Sequence, residues 1–313
     1  MTSHAIDPEL AAVVPMLPQL DLSDLPSARA SMTALVAQLG TPDATGVRVE
    51  EVSAPGPEGS PDVRMRVYRP ERVAAPAAVY DVHGGGFVLG DLETDHARNL
   101  EFARELGVVV VSVDYRLAPE TPFPGPLEDV YAGLVWTAKN ASELGVDPER
   151  IAVHGVSAGG GLAAGLTLLA RDRGGPSIAF QYLGVPEVDD RLTTSSMTAF
   201  TDTPIWNRSR AVVSWDSYLG AGVPGSDDVS PYAAPARATD LSGLPPAYVS
   251  AMHFDPLRDE GIAYALALLA AGVTVELHLF PGTFHGSGLA RHAAVSQREH
   301  AEATAVLARA LGL

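Results

Sequence analysis

Gly155-Val156-Ser157-Ala158-Gly159 is a GxSxG pattern, and His83-Gly84-Gly85-Gly86-Phe87 precedes it in the chain. A serine between two glycines fits a sharp strand-to-helix turn that lifts its hydroxyl clear of the backbone. Crowding at such a turn leaves no room for a Cβ on either side. A Gly/Ser turn before an Ala-rich helix would give the same letters, so the pattern alone is weak. The apolar run before it and the helical pattern after it favour a nucleophile at Ser157. A helix starting at Ala158 brings positive dipole potential and free N–H groups beside the serine. Three consecutive glycines are costly in chain entropy, which points to a backbone that must approach something closely. The expected oxyanion donors are the N–H groups of Gly85, Gly86 and Ala158. An activated serine facing such donors is the core of acyl-transfer chemistry.

The serine needs a base and the base an acid. His285, in Pro281-Gly282-Thr283-Phe284-His285-Gly286, follows the last apolar run and is the expected base. Asp255 follows the run at 247–252 and is the expected acid; Asp259 and Glu260 fall in the next helix's first turn, where acids serve the macrodipole. The order Ser, Asp, His is that of the α/β-hydrolases, not of the chymotrypsin or subtilisin type. His83 is expected to orient the glycine loop by hydrogen bonding. The remaining histidines show no metal-ligand spacing, and no G-x-G-x-x-G opens a helix after a strand, so neither a metal nor a cofactor is expected.

These residues need a scaffold, and the hydrophobic pattern describes one. Strands are expected at 47–53, 63–68, 77–82, 108–113, 151–154, 178–183, 247–252 and 273–280. Helices are expected at 8–14, 27–39, 95–106, 127–144, 158–171 and 259–271, with a last one ending at Leu311. Alternation of this kind implies an α/β fold with a mostly parallel central sheet and helices on both faces. The stretch 185–243 breaks the rhythm and is aromatic and turn-rich. The expected organisation is a catalytic domain over 46–313, with a cap built from helices within 1–45 and the insertion near 185–243.

Composition narrows the partners. Lys and Arg number 21 against 38 Asp and Glu, a net charge of −17, and Lys139 is the only lysine. That argues against nucleic acid and anionic membrane surfaces. With no cysteine there is no disulfide and no thiol nucleophile. The first ten residues lack a basic n-region, and no apolar run approaches the ~20 residues of a membrane span. A cytoplasmic protein acting on a small molecule is expected.

Taken together, these blocks resemble the bacterial hormone-sensitive lipase family of α/β-hydrolase esterases. The matching residues are His83-Gly84-Gly85-Gly86-Phe87 with Gly90, Asp114-Tyr115-Arg116-Leu117-Ala118-Pro119-Glu120, the elbow, the 255–261 segment and His285-Gly286. Within the family the likeness is greatest to the bacterial heroin esterase type. There it extends to Leu17-Pro18, Ser195-Ser196-Met197-Thr198 and the 281–287 segment. The resemblance implies an α/β-hydrolase fold with a helical cap, hydrolysis of carboxylic esters with short acyl chains, and no cofactor. It also implies a homodimer and a supporting role for the 115–120 block. Two positions depart from many members: Val156 where Asp or Thr is common, and Ser287 where an aromatic is common. Both bear on the substrate pocket.

The expected function is therefore a serine carboxylesterase acting on acetyl to butyryl esters through an acyl-enzyme. The alternatives are an amidase or peptidase of the same fold, or a small-molecule-binding protein without catalysis. The glycine loop favours esters over amides, and the presence of His285 opposes the binding protein. Met16, Leu17, Leu20 and Leu22 are expected to form an apolar roof that limits chain length.

Overall fold

The computed structural model describes residues 5–17, 21–38 and 40–313. Its strands are β1 (Val47–Ala54), β2 (Val63–Pro70), β3 (Ala78–Val82), β4 (Val109–Asp114), β5 (Ile151–Val156), β6 (Phe180–Gly184), β7 (Ala247–Phe254) and β8 (Val275–Phe284). They form one sheet in the order β1-β2-β4-β3-β5-β6-β7-β8. β2 pairs antiparallel with β1 and β4, and the other neighbours are parallel. β3 is buried along its whole length and β4 and β5 at all but the last residue. Strands covered on both faces need such unbroken apolar runs.

The helices are α1 (Pro8–Ala11), α2 (Leu25–Gln38), α3 (His96–Leu106), α4 (Gly125–Lys139), α5 (Ala141–Leu144), α6 (Ala158–Asp172), α7 (Ser195–Ala199), α8 (Arg208–Leu219), α9 (Arg258–Ala270) and α10 (Ala294–Ala310). Packing divides the apolar side chains into one cluster around β5, α4, α6 and α8, a second around α3 and α10, and a third where α1 meets β7 and β8. None of the described helices is long and apolar enough to cross a membrane.

Three differences from the pattern-based expectation have physical causes. The helix expected over 127–144 is two helices, because Asn140 leaves helical geometry (φ −97°, ψ 12°) and its side chain bonds back to Trp136 O at 2.8 Å. β8 runs on to Phe284 through Pro281-Gly282, because its register against β7 shifts between Met252 and Phe254. An irregularity on an edge strand tolerates the missing proline N–H. α2 begins before residue 27, with Asp24 Oδ1 accepting the Ser27 N–H at 3.2 Å and Pro26 in the first turn, where its missing N–H is harmless.

The expected roof is only partly assembled. Met16 is 74% exposed and covers nothing, Leu22 joins the main core, and Leu17 is half-buried in the cluster that holds Val156 and Ile205. Leu20, like His4, Pro18 and Leu39, lies outside the described residues. α2 is tied to the body by Arg29, whose guanidinium bonds Glu120 at 2.7 and 2.8 Å and the carbonyls of Ala118 and Val88 at 2.9 Å each.

Candidate active site

In an open parallel sheet, ligands bind beyond the carboxyl ends of the strands. Here the glycine loop follows β3, Ser157 follows β5, Asp255 follows β7 and His285 follows β8. The order β3-β5-β6-β7-β8 sets these ends side by side.

Ser157 sits at φ 61°, ψ −125°, a left-handed conformation that side chains resist. Close approach explains its glycine neighbours. A Cβ on Gly155 would lie 2.2 Å from Gly159 O, and one on Gly159 would lie 2.0 Å from Val82 O. The Ser157 N–H donates to Gly184 O at 2.8 Å, anchoring the turn to the end of β6.

Ser157 Oγ donates to His285 Nε2 at 2.9 Å, and His285 Nδ1–H donates to Asp255 Oδ2 at 2.7 Å. Asp255 Oδ1 accepts the Leu257 N–H at 2.9 Å, which fixes the rotation of the carboxylate. All three residues are buried, with Ser157 and His285 each 6% exposed. This is the hydroxyl–imidazole–carboxylate chain that activates a serine. Asp259 lies elsewhere: its carboxylate accepts the Ser196 N–H at 2.7 Å and pairs with Arg258 at 2.8 Å. Glu260 accepts the Val188 and Asp189 N–H groups at 2.8 and 3.1 Å.

The glycine loop runs beside the serine. A Cβ on Gly84 would come 2.9 Å from Val156 O and 3.5 Å from the Ser157 Cβ. Gly85 has φ 123° and Gly86 φ 58°, and Phe87 follows at φ 60°. Ala158 opens α6 directly after the serine. The His83 ring is engaged with the glycine loop and Tyr115. Its Nδ1–H donates to Gly84 O at 2.8 Å, its ring stacks on Tyr115 at 4.2 Å, and Tyr115 OH donates to His83 O at 2.9 Å. Burial holds the imidazole below its usual range, so it stays neutral near pH 7. The 115–120 block is pinned at both ends, with Arg116 on Asp129 at 2.7 Å and Glu120 on Arg29.

Other side chains here escaped the reading of the sequence. Ser214 Oγ–H donates to Gly86 O at 3.0 Å, and Phe87 stacks on Tyr218 at 4.1 Å and tilts against Trp215 at 5.4 Å. Trp206 leans over the centre, its ring 5.7 Å from that of His285. The signal was present: Ala211, Ser214, Trp215 and Tyr218 recur at helical spacing and form the buried face of α8. Glu187, just past β6, lies at the same sheet edge and is fully buried. Of the two departing positions, Val156 is half-buried beside the serine and Ser287 is buried with its hydroxyl unpartnered.

A family model described as alpha/beta hydrolase fold matches residues 79–288. The structure of a bacterial heroin esterase superposes with a TM-score of 0.96 at 56% identity, over 98% of each chain. Carboxylesterase NlhH of Mycobacterium tuberculosis is 46% identical over 248 residues, 77% of this chain and 75% of its own. An arylesterase of Saccharolobus solfataricus is 36% identical over 225 residues, 72% of each.

Proposed function

The chain belongs to the hormone-sensitive-lipase-like family of α/β-hydrolase esterases and is a carboxylic ester hydrolase, and from that premise we propose that it cleaves short-chain esters through a serine acyl-enzyme. The observation that carries this reading is the unbroken chain from Ser157 Oγ through His285 to Asp255, at 2.9 and 2.7 Å. Ser157 Oγ attacks the ester carbonyl carbon as its proton passes to His285 Nε2. The carbonyl oxygen takes the negative charge and is held by the N–H groups of Gly85, Gly86 and Ala158. The C–O bond to the alcohol then breaks, and His285 returns the proton to the leaving alkoxide. Water, deprotonated by His285, attacks the acyl-enzyme; collapse of the second tetrahedral intermediate releases the acid and restores the serine. Asp255 keeps the imidazole proton on Nδ1 and stabilises its cationic form. His83 serves the glycine loop from behind.

Acetyl to butyryl chains are the proposed acyl range. Half-buried Val156 and the side chains of Trp206 and Leu17 crowd this edge of the sheet. Each methylene that fits an apolar pocket adds up to ~0.8 kcal/mol, while one that clashes loses more. A fluorophosphonate probe tests the mechanism. A single mass adduct on the Ser157 peptide, absent from Ser157→Ala, is expected; labelling elsewhere with retained activity would refute it. A nitrophenyl ester series from acetate to palmitate tests the range, and a kcat/KM still rising beyond octanoate would refute it.

The same reading treats residues 1–45 and the insertion near 185–243 as a cap on the catalytic domain 46–313. Ser214 on Gly86 and Arg29 on Glu120 are the contacts that support it. Cytoplasmic residence and a homodimer complete the proposal, to be checked by cell fractionation and sedimentation.

A further inference from the structure

Each carbonyl of the glycine loop from Gly84 to Phe87 is held by a donor. Gly84 O accepts from His83 Nδ1 at 2.8 Å, Gly85 O from the Val88 and Leu89 N–H groups at 3.1 and 2.9 Å, and Phe87 O from the Ala118 N–H at 2.9 Å. Those donors all lie within residues 83–118. Gly86 O differs: its donor is the Ser214 hydroxyl, at 3.0 Å, on α8 of the insertion. A glycine at φ 58° has no side chain to resist rotation about its backbone bonds. Peptide units are rigid planes, so a held carbonyl fixes the N–H across the same bond. The bonds on Gly85 O fix the plane before Gly86, and Ser214 fixes the plane after it. Without that hydroxyl, the second plane loses the bond on its carbonyl.

Ser214 is fully buried, and the Glu187 carboxyl is its hydrogen-bonding neighbour. Glu187 belongs to the serine's side of the site. Its N–H donates to Ser157 O at 3.1 Å, and a Cβ on Gly161 of α6 would lie 2.1 Å from its carbonyl oxygen. The buried carboxyl finds no other partner among the described residues. Ser214 has one hydroxyl proton, and that proton goes to Gly86 O. Glu187 therefore completes the arrangement as a carboxylic acid donating to Ser214 Oγ. The ionisable groups that act on it are Asp255 after β7 and Glu260 of α9, both acids. Burial above all, with Asp255 adding to it, pushes Glu187 up to about 8, so the acid form prevails at neutral pH.

We propose that Ser214, steadied by Glu187, is a positioning residue of the oxyanion site: its hydroxyl holds the Gly86 carbonyl and keeps the N–H groups of the glycine loop aligned with Ser157. This rests on the serine-esterase reading and adds to it a part for the insertion, which reaches the reacting centre through α8. The oxyanion forms only on the way through the transition state, so lost alignment shows in kcat and not in KM.

Ser214→Ala removes the hydroxyl alone. On nitrophenyl acetate its kcat should fall by about tenfold or more, since donors displaced by a fraction of an ångström lose much of their effect. A trifluoromethyl ketone supplies the second readout, because its adduct on Ser157 carries the same oxyanion. The Ki of 1,1,1-trifluoro-2-butanone should also rise by about tenfold or more. Partial unfolding would lower kcat and leave Ki unchanged. A smaller effect on either quantity overturns the proposal and leaves the esterase reading standing. A wild type that fails to cleave nitrophenyl acetate, or that the ketone does not inhibit, overturns both. Should Ser214→Ala fail to fold, the pH profile decides, corrected for hydroxide-catalysed hydrolysis. Ionised Glu187 accepts the Ser214 proton and frees Gly86 O, so wild-type kcat should fall by about threefold or more between pH 7 and 10. Glu187→Gln keeps a donor toward Ser214 Oγ at every pH and should stay level there. A level wild-type profile, or the same fall in both proteins, overturns the proposal.

Discussion

Asp255→Asn is the substitution for which the structure gives the most detailed expectation. Asp255 Oδ1 accepts the Leu257 N–H at 2.9 Å while Oδ2 accepts from His285 Nδ1 at 2.7 Å. An asparagine keeps one acceptor only. If its oxygen stays on Leu257, its NH₂ faces Nδ1 and donates to it, which forces the imidazole proton onto Nε2. Nε2 then meets the Ser157 hydroxyl as a donor and cannot take its proton. If the amide flips, the imidazole regains the right tautomer, but the NH₂ then opposes the Leu257 N–H. A buried donor left facing a donor costs ~1–3 kcal/mol, so the productive orientation is populated at roughly a tenth to a hundredth. The flipped amide is also neutral, and a charge-assisted bond exceeds a neutral one by ~1 kcal/mol or more, worth about another tenfold. The expected loss in kcat is thus roughly 10²–10³, approaching the ~10⁴ that this exchange costs in a Ser-His-Asp protease. The assay is kcat on nitrophenyl acetate, with circular dichroism and thermal melting matched to wild type. A loss below tenfold, or a larger loss in Asp259→Asn, would refute the reasoning and move the acid.

Ser157→Ala should lower kcat by about 10⁴ or more and abolish fluorophosphonate labelling; retention of a tenth of the activity removes Ser157 from the mechanism. Tyr115→Phe deletes the donor to His83 O, a buried acceptor, and should destabilise by ~1–3 kcal/mol while slowing turnover without shifting the pH–rate profile; an unchanged melting temperature would contradict the bracing role. Between pH 7 and 9 an unfolded glutamate is already ionised, whereas folded Glu187, pushed up to about 8 by burial, still holds its proton at pH 7. The folded state binds more protons, so stability falls as pH rises through this window; the drop in melting temperature should be smaller in Glu187→Gln, and equal slopes would show that Glu187 does not titrate there. Deleting residues 1–40 removes Arg29 and its bonds to Glu120, Ala118 and Val88, and should destabilise the protein and flatten the chain-length profile; an unaltered profile would take this segment away from the acyl pocket.

What could be read from the sequence was whatever geometry forces onto residue identity. Ser157 is flanked by glycines because two carbonyls stand about where a Cβ would go, so the elbow was visible. Asp255 and His285 follow strand ends, and apolar runs mark strand ends well. Pro281-Gly282 misled, because an edge strand can carry a proline through a register shift, and local pattern does not say which strand is at the edge. Asn140 misled in the opposite sense: its flanks continue a helical pattern across a real break. Glu187 was passed over because a glutamate after an apolar run looks like any surface acid. Only the tertiary fold, which sets α8 with Ser214 and the glycine loop beside it, makes it a buried one.

The backbone at Ser157 has a consequence for how this protein can be improved. A side chain held at φ 61° carries strain of ~1–3 kcal/mol, which glycine would relieve, less the ~0.4–1 kcal/mol of extra freedom it gives the unfolded chain. Heat resistance and turnover therefore compete at a single codon. A screen of random variants scored only for survival at high temperature should enrich Ser157→Gly, a sturdier and inert molecule. Directed evolution of this scaffold has to select for catalysis in every round, because selection for stability alone runs toward loss of the proposed nucleophile.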